Sequence, residues 1–345
     1  MTSLQRIRAV MARQIPDRVP VCLHNFLLAA KEAGVSLNQY RTDPQAVAKA
    51  HLAALEEYQH DCILIDLDTT MLAEAMGAGA ECAPGEPGRI VRSAIESLSQ
   101  VGDLKPLDPR TDGRIPALLD GIRLIAKEVG GEVAIRGNCD QGAFSLACLV
   151  RGIEDFMVDL ATQPDNPAIG RLLEVCYESH LATHRAVKQA GAHFTSLGDS
   201  LAGPDVLSPK MFRQFARPYQ EKLVRQLASE GIFTVIHICG DTTSILDDLS
   251  RNGFCGFELD FKTCARTAKM TVGKNHVLFG NIDPSGVIAR ATSNEVDERS
   301  RDLIALWKPH GLFVLNAGCA IPAATSSENV HALVAAARKY GAYDR

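Results

Sequence analysis

Short apolar runs alternate with longer amphipathic stretches along most of this chain. Eight runs have the length and the β-branched or aromatic content of buried strands: 19–23, 62–65, 133–136, 193–197, 235–239, 254–259, 276–280 and 312–316. The clearest helical patterns between them cover residues 44–59, 113–129, 208–230, 293–307 and 326–340. Strands that alternate with helices in this way predict a parallel sheet with right-handed connections.

Three segments depart from the simple alternation. Residues 3–14 predict a short amphipathic helix ahead of the first strand. Residues 80–93 are rich in Gly and Pro, which predicts an irregular excursion. A long helical region over about 142–190 is expected to break near Pro164 and Pro167, because proline cannot continue a helix from its interior.

The pattern predicts one (β/α)8 barrel over residues 1–345, with the first helix as an N-terminal extension. An open, doubly wound sheet has the same alternation of strands and helices and is the alternative. The barrel is favoured because the strand count reaches eight and because polar residues follow the strands near both ends of the chain. In a barrel these residues would share the carboxyl-terminal face, where such folds carry their active sites.

The fifth strand ends in an unusual group of side chains, Val-Ile-His-Ile-Cys-Gly-Asp-Thr-Thr over residues 235–243. Because side chains alternate along a strand, His237 and Cys239 are expected to point the same way. Cys319 follows the eighth strand and would lie at the same rim. One imidazole and two thiolates are ligands that zinc prefers, and three protein ligands with an open fourth position are typical of catalytic zinc. The competing interpretation is a buried histidine with two core cysteines.

Composition excludes several other classes of function. The formal charge of -5 gives no reason to expect nucleic-acid binding, and there is no apolar run of the roughly 18 residues that would span a membrane. GxGxxG and GxxxxGK[ST] motifs are absent, so nothing favours dinucleotide or P-loop binding. Without the apolar core of a signal peptide at the start, the ten cysteines indicate reduced thiols in a cytoplasmic protein.

Several motifs together resemble the uroporphyrinogen decarboxylase superfamily. They are His-Ile-Cys-Gly-Asp-Thr-Thr over 237–243, Phe-Gly-Asn-Ile-Asp-Pro over 279–284, and Asn-Ala-Gly-Cys over 316–319 with Ser-Glu-Asn over 327–329. Within the superfamily they are similar to the zinc-dependent cobalamin:thiol methyltransferases. The resemblance covers nearly the whole chain and includes Asp68 after the second strand.

The resemblance implies an activity and its cofactors. Zinc on His237, Cys239 and Cys319 would convert a small thiol, or another methyl acceptor or donor, into a reactive partner for the methyl group of methylcobalamin. Cobalamin-binding modules usually carry an Asp-x-His-x-x-Gly motif, which this chain lacks. A separate corrinoid protein is therefore the expected partner.

Two alternatives stay open. The first is a metal-free decarboxylase of a tetrapyrrole-like acid, although such enzymes carry an arginine-bearing stretch after the first strand where this chain has Leu-His-Asn-Phe-Leu over 23–27. The second is a non-catalytic family member that keeps zinc for structure or to bind a partner.

Residues at the strand ends complete the predicted site. Asp68 and Asp199 are predicted to be catalytic. Four residues are predicted to bind substrate: His24, Asn25, Asn138 and Asn281. The fourth zinc ligand stays open among Asp260, Glu258, Asp199 and water. The remaining histidines are expected to be solvated on helices or loops: His51, His60, His180, His184, His310 and His331.

Overall fold

The computed structural model describes residues 1–83 and 86–343. Ten strands occur in these residues: β1 (Cys22–Leu23), β2 (Cys62–Ile65), β3 (Gly79–Glu81), β4 (Arg89–Arg92), β5 (Ala134–Gln141), β6 (Phe194–Gly198), β7 (Thr234–Ile238), β8 (Gly256–Leu259), β9 (Val277–Ile282) and β10 (Phe313–Ala317).

Eight of the strands form one parallel sheet that closes on itself. Its order is β1-β2-β5-β6-β7-β8-β9-β10, which is chain order once β3 and β4 are set aside. At the seam, Val21 pairs in parallel with Leu315, and the Leu315 amide donates a hydrogen bond of 2.9 Å to the carbonyl of Pro20. The predicted (β/α)8 barrel is confirmed, and an open doubly wound sheet is excluded.

Helix α1 precedes the first strand, and the other helices lie between or after the strands. They are α1 (Ser3–Met11), α2 (Phe26–Glu32), α3 (Leu37–Thr42), α4 (Pro44–Tyr58), α5 (Met71–Ala75), α6 (Ile115–Val129), α7 (Ala143–Arg151), α8 (Ile153–Thr162), α9 (Pro167–Gln189), α10 (Pro209–Met211), α11 (Arg217–Ser229), α12 (Leu246–Leu249), α13 (Ala265–Val272), α14 (Ser293–Trp307) and α15 (Ser327–Tyr340). No helix in the described part of the chain has both the length and the apolar character that a membrane span requires.

The start of α4 shows how the local sequence sets an element. Asp43 accepts a hydrogen bond of 2.9 Å from the Gln45 amide, and Pro44 occupies the first turn, where its missing N–H costs nothing. The helix ends at Tyr58, and Gln59 has the left-handed φ of 51°. The helix begins at the predicted residue and ends one residue before the predicted end.

Two predicted segments differ from the structure. Residues 80–93 are not an irregular excursion, since β3 and β4 pair there as an antiparallel hairpin, with Pro84 and Gly85 outside the described residues. These strands are too short and too exposed to show an alternating pattern. The helical region over 142–190 has an additional break at Gly152, whose φ of +92° cannot continue a right-handed helix.

Helix α1 covers the amino-terminal end of the barrel. Leu4, Ile7 and Val10 pack against the first residues of the strands, including Cys62 and Phe194. Burial of these apolar side chains closes this end of the barrel. The carboxyl-terminal ends of the strands lie at the opposite face of the barrel, and the polar side chains gather there.

Four histidines that were expected to be solvated are buried, and that expectation is wrong: His51, His60, His180 and His184. Their helices and loops turn them inward. His184 Nδ1 lies 2.8 Å from the hydroxyl of Thr195 on β6, and the rings of His180 and His184 pack edge to face with centroids 4.6 Å apart. His331 is exposed, as predicted, and the side chain of His310 lies outside the described set.

Candidate active site

Three predicted ligand side chains meet at the carboxyl-terminal face of the barrel. His237 lies on β7, Cys239 is the first residue after β7, and Cys319 is the second residue after β10. Their ligand atoms all lie within 4.8 Å of one another, and His237 Nε2 is 3.3 Å from Cys239 Sγ. Strand alternation accounts for the first pair, and closure of the barrel brings the third residue to them.

The imidazole of His237 is held in one orientation. Its Nδ1 lies 3.0 Å from the backbone carbonyl oxygen of Glu258, on the neighbouring strand β8. A carbonyl oxygen can only accept, so Nδ1 donates and Nε2 faces the two cysteines. This is the arrangement by which outer groups usually orient a metal-binding histidine.

The three groups also shift one another's ionisation. Hydrogen bonding from Cys319 and the nearby imidazole hold the pKa of the Cys239 thiol well below its usual range, and the same shared proton raises the pKa of Cys319. Burial lowers the pKa of His237, but the neighbouring Cys239 thiolate outweighs it and raises that pKa to about 10. The cluster thus stabilises a thiolate, which is the form of cysteine that binds soft metal ions.

The triad lies in the wall of a small cavity of about 200 Å³. Other polar side chains in its wall come from the ends of several strands, and apolar side chains complete it. The polar ones are His24, Asp66, Asp68, Thr69, Asn138, Gln141, Ser200, Arg136 and Glu258, and the apolar ones include Phe26, Leu27, Leu64, Pro87 and Ala320.

A buried chain of charges crosses the barrel beneath the triad. Arg136 Nη1 lies 2.5 Å from Glu258 Oε2, and Glu258 Oε1 lies 2.9 Å from His24 Nδ1. His24 Nε2 lies 3.4 Å from Asp66 Oδ2. Burial opposes ionisation of Glu258, but Arg136 and His24 hold its pKa well below the usual range. Burial also lowers the pKa of His24, and Glu258 with Asp66 nevertheless raises it to about 9.

Asp68 faces the cavity but its carboxylate is engaged by two arginines. It pairs with Arg41 Nε, and both of its oxygens lie 3.1 Å from Arg114 Nη2. Burial raises its pKa, but the two guanidinium groups outweigh burial and lower the pKa of Asp68 overall. The same arginines each bind Glu74 Oε1 at 2.7 Å.

Of the predicted substrate-binding residues, the structure brings two to the cavity. His24 and Asn138 line it. Asn281 lies in a separate depression of the surface, where its amide donates to the carbonyls of Asp260 and Thr263 at 3.2 and 3.0 Å. Asn25 is buried just before α2, apart from the described cavity wall.

Asp199 occupies a structural position. Its carboxylate accepts from the amide and hydroxyl of Ser145 at 3.0 and 2.7 Å and from Gln220 Nε2 at 2.8 Å. Ser145 is in the first turn of α7, so the carboxylate of Asp199, the residue directly after β6, caps that helix. Asp199 is not among the described residues of the cavity wall.

The carboxylates considered as a fourth metal ligand all have other partners. Asp260 Oδ2 accepts from the Gly240 amide at 2.9 Å and its Oδ1 from the Lys262 amide at 2.8 Å. Glu258 pairs with Arg136 and His24, and Asp199 with Ser145 and Gln220. Within the described residues the cluster of convergent ligand atoms comprises the triad alone. Its cavity side is therefore the place for water or a substrate atom.

The sequence did not predict the ion pair between Arg136 and Glu258. The sequence does give a signal, because Arg136 directly follows the apolar residues 133–135 and Glu258 lies between Phe257 and Leu259. Buried charges need a partner of opposite sign. The sequence alone does not show that the two partners lie on β5 and β8, which are far apart along the chain.

Comparison with known proteins gives consistent relatives. The family model "Uroporphyrinogen decarboxylase (URO-D)" matches residues 2–340. The chain is 30% identical over 339 residues to the methylcobamide:CoM methyltransferase MtaA of Methanosarcina barkeri, with 97% of each chain covered. It is 26% identical to the uroporphyrinogen decarboxylase of Cellvibrio japonicus, again with 97% of each covered. A solved methyltransferase from Methanosarcina mazei matches with a TM-score of 0.89 and 27% identity over 99% of both chains.

Proposed function

The chain belongs to the uroporphyrinogen decarboxylase family, and we propose that it is a zinc-dependent methyltransferase that moves a methyl group between a corrinoid and a thiol. The observation that carries this proposal is the convergence of one imidazole nitrogen and two cysteine sulfurs within 4.8 Å in the wall of a cavity. Relatives named as methylcobamide:CoM methyltransferases support it.

The donor set fits zinc. With Zn–S near about 2.3 Å and Zn–N near about 2.0 Å, neighbouring ligand atoms of a tetrahedral site lie between roughly 3 and 4 Å apart. The distance of 3.3 Å between His237 Nε2 and Cys239 Sγ agrees with that spacing. His237, Cys239 and Cys319 would hold the ion. Bound there, zinc supplies the Lewis acidity that keeps a substrate thiol as a thiolate at neutral pH.

The chain's own residues prepare the site. The Glu258 carbonyl fixes the tautomer and the plane of the His237 ring. Arg136 and His24 lower the pKa of the Glu258 carboxyl and engage both of its oxygens, so the backbone carbonyl remains the partner of the His237 ring N–H. Phe26, Leu27 and other apolar residues reduce the water next to the triad, which strengthens its electrostatic interactions.

A separate corrinoid protein is the proposed methyl carrier or acceptor. A cavity of about 200 Å³ is smaller than the roughly 300–1,000 Å³ of pockets that enclose drug-sized ligands, and a corrin macrocycle is larger still. The corrinoid would therefore present its methyl group at the cavity mouth, with its ring outside the barrel. The missing cobalamin-binding motif agrees with a partner on another chain.

Decarboxylation of a tetrapyrrole-like acid is the weaker candidate. Many substrate carboxylates would need unpaired arginines, but Arg136 in the cavity wall is bound to Glu258, and Arg41 and Arg114 are bound to Asp68 and Glu74. Zinc bound for structure alone would usually have four protein ligands.

The test combines metal analysis with methyl transfer. Protein purified without added metal should hold one zinc per chain, and with free methylcobalamin and a small thiol it should form the methyl thioether slowly. A methylated corrinoid protein should react faster. Absence of zinc, or zinc without any methyl transfer from either donor, would contradict the proposal. Turnover of uroporphyrinogen at about 1 per second or faster would favour the decarboxylase instead.

A further inference from the structure

We infer that the thiol used at this site is a small aliphatic thiol whose remainder carries no anionic group. The inference rests on the proposed function and names the substrate class for it. Its basis is the distribution of charge around the cavity, which is balanced within the protein before any substrate binds.

Apart from the triad, the cations of the described cavity wall are Arg136 and His24, and both have carboxylate partners. Arg136 pairs with Glu258 at 2.5 Å. His24 lies between Glu258 at 2.9 Å and Asp66 at 3.4 Å. Two cations therefore face two carboxylates, and neither cation is left over for a substrate.

Asp68 is the third carboxylate of the cavity wall, and its charge is neutralised by arginines. Asp68 binds Arg41 and Arg114, and these arginines also bind Glu74. Together with Arg136, His24, Glu258 and Asp66, these residues make four cations and four carboxylates. Their formal net charge is zero when His24 is protonated. The high pKa of His24, about 9, agrees with that state at neutral pH.

An anionic substrate group would meet carboxylates without gaining an unpaired cation. A buried ion needs a partner of opposite charge to offset its loss of hydration, and juxtaposed like charges reject a wrong ligand. A sulfonate such as that of coenzyme M, 2-mercaptoethanesulfonate, is therefore disfavoured here, although relatives are named for that thiol.

The cavity wall offers apolar contacts to an uncharged tail, meaning the part of the substrate beyond its thiol group. Phe26, Leu27, Leu64 and Ala320 provide apolar contact in a space of about 200 Å³, which is large enough for a thiol of a few carbon atoms.

The test compares two thiols that differ in tail charge. 2-Mercaptoethanol and 2-mercaptoethanesulfonate would be titrated into the zinc-loaded protein by calorimetry, and into the cobalt-substituted protein by its sulfur-to-metal absorption. We expect 2-mercaptoethanol to bind at least about tenfold more tightly, because one uncompensated charge in a low-dielectric cavity is worth that much or more. Equal or tighter binding of the sulfonate would overturn the inference and leave the proposed function standing. If neither thiol binds the metal, the proposed function itself fails.

A charge variant gives an independent measurement. Asp66→Asn removes one carboxylate from the wall and leaves His24 paired with Glu258. The ratio of the two dissociation constants should then move toward the sulfonate by about tenfold. Asp120→Asn, the same change at an exposed position on α6, should leave the ratio unchanged. An unchanged ratio in Asp66→Asn would contradict the assignment.

Discussion

The backbone carbonyl oxygen of Glu258 lies 3.0 Å from Nδ1 of His237, while the side chain of the same glutamate pairs with Arg136 and His24. One residue of β8 thus takes part in two systems. Its main chain orients the histidine of the candidate metal centre, and its carboxylate neutralises the cations inside the barrel. The two contributions can be separated, because a side-chain substitution leaves the carbonyl in place.

Glu258→Gln should strongly destabilise the fold and leave zinc binding largely intact. Loss of the carboxylate leaves Arg136 as a buried charge without its partner, which typically costs about 3–5 kcal/mol. Urea unfolding of the zinc-loaded protein would measure that loss, and metal analysis of the folded fraction would measure zinc. Glu178→Gln, on an exposed position of α9, is the matched control and should change neither quantity. Full stability in Glu258→Gln would show that the ion pair is unimportant.

Cys319→Ser should lower zinc affinity by orders of magnitude, since a neutral hydroxyl replaces a soft anionic ligand. The barrel should remain folded because its apolar core does not depend on the metal. Competition with a chromogenic chelator gives the affinity, and circular dichroism gives the fold. Cys264→Ser is the control, since that cysteine is exposed and outside the triad. A full equivalent of tightly held zinc in Cys319→Ser would refute the ligand set.

Stability should fall as the pH drops below about 6.5, the ordinary pKa of histidine. Burial lowers the pKa of His51 and His180 to about 3 and that of His60 to about 4. Below pH 6.5 the unfolded chain takes up protons that the native fold excludes, so each such histidine costs about 1.4 kcal/mol per pH unit until its native pKa is reached.

Unfolding free energies at pH 7, 6 and 5 would measure that slope. His180→Leu keeps the site apolar and should reduce the slope by about 1.4 kcal/mol per pH unit between pH 6 and 5, while the slope from pH 7 to 8 stays unchanged. A variant with the wild-type slope would show that His180 is not held neutral in the native state.

Asp199→Asn should cost stability rather than activity. The aspartate accepts three hydrogen bonds, from Ser145 and Gln220, and an asparagine amide would turn a donor toward one of them. The expected loss is about 1–3 kcal/mol in thermal or urea unfolding, with zinc content and thiol affinity unchanged. Loss of methyl transfer at unchanged stability would instead support the catalytic role that the sequence suggested for this residue.

Much of the fold could be predicted because its signals are local. Each barrel strand is a short apolar run, and its partner helix carries its own caps, as Asp43 and Pro44 show for α4. The pairing of His237 with Cys239 follows from the alternation of a single strand. The prediction for residues 80–93 was wrong because β3 and β4 are short and exposed, so that burial imposes no alternating pattern on their sequence.

What the sequence by itself determined is therefore the eight barrel strands, their order, and the residue types available at the strand ends. Only the tertiary structure decided which charges meet. Arg136 and Glu258 are 122 positions apart in the numbering and become partners because the barrel closes around them. Asp199 and Asp68 look alike at strand ends, yet one caps a helix and the other faces the cavity between two arginines. A strand's periodicity states which side a residue faces, whereas its charge partners depend on elements that are distant along the chain.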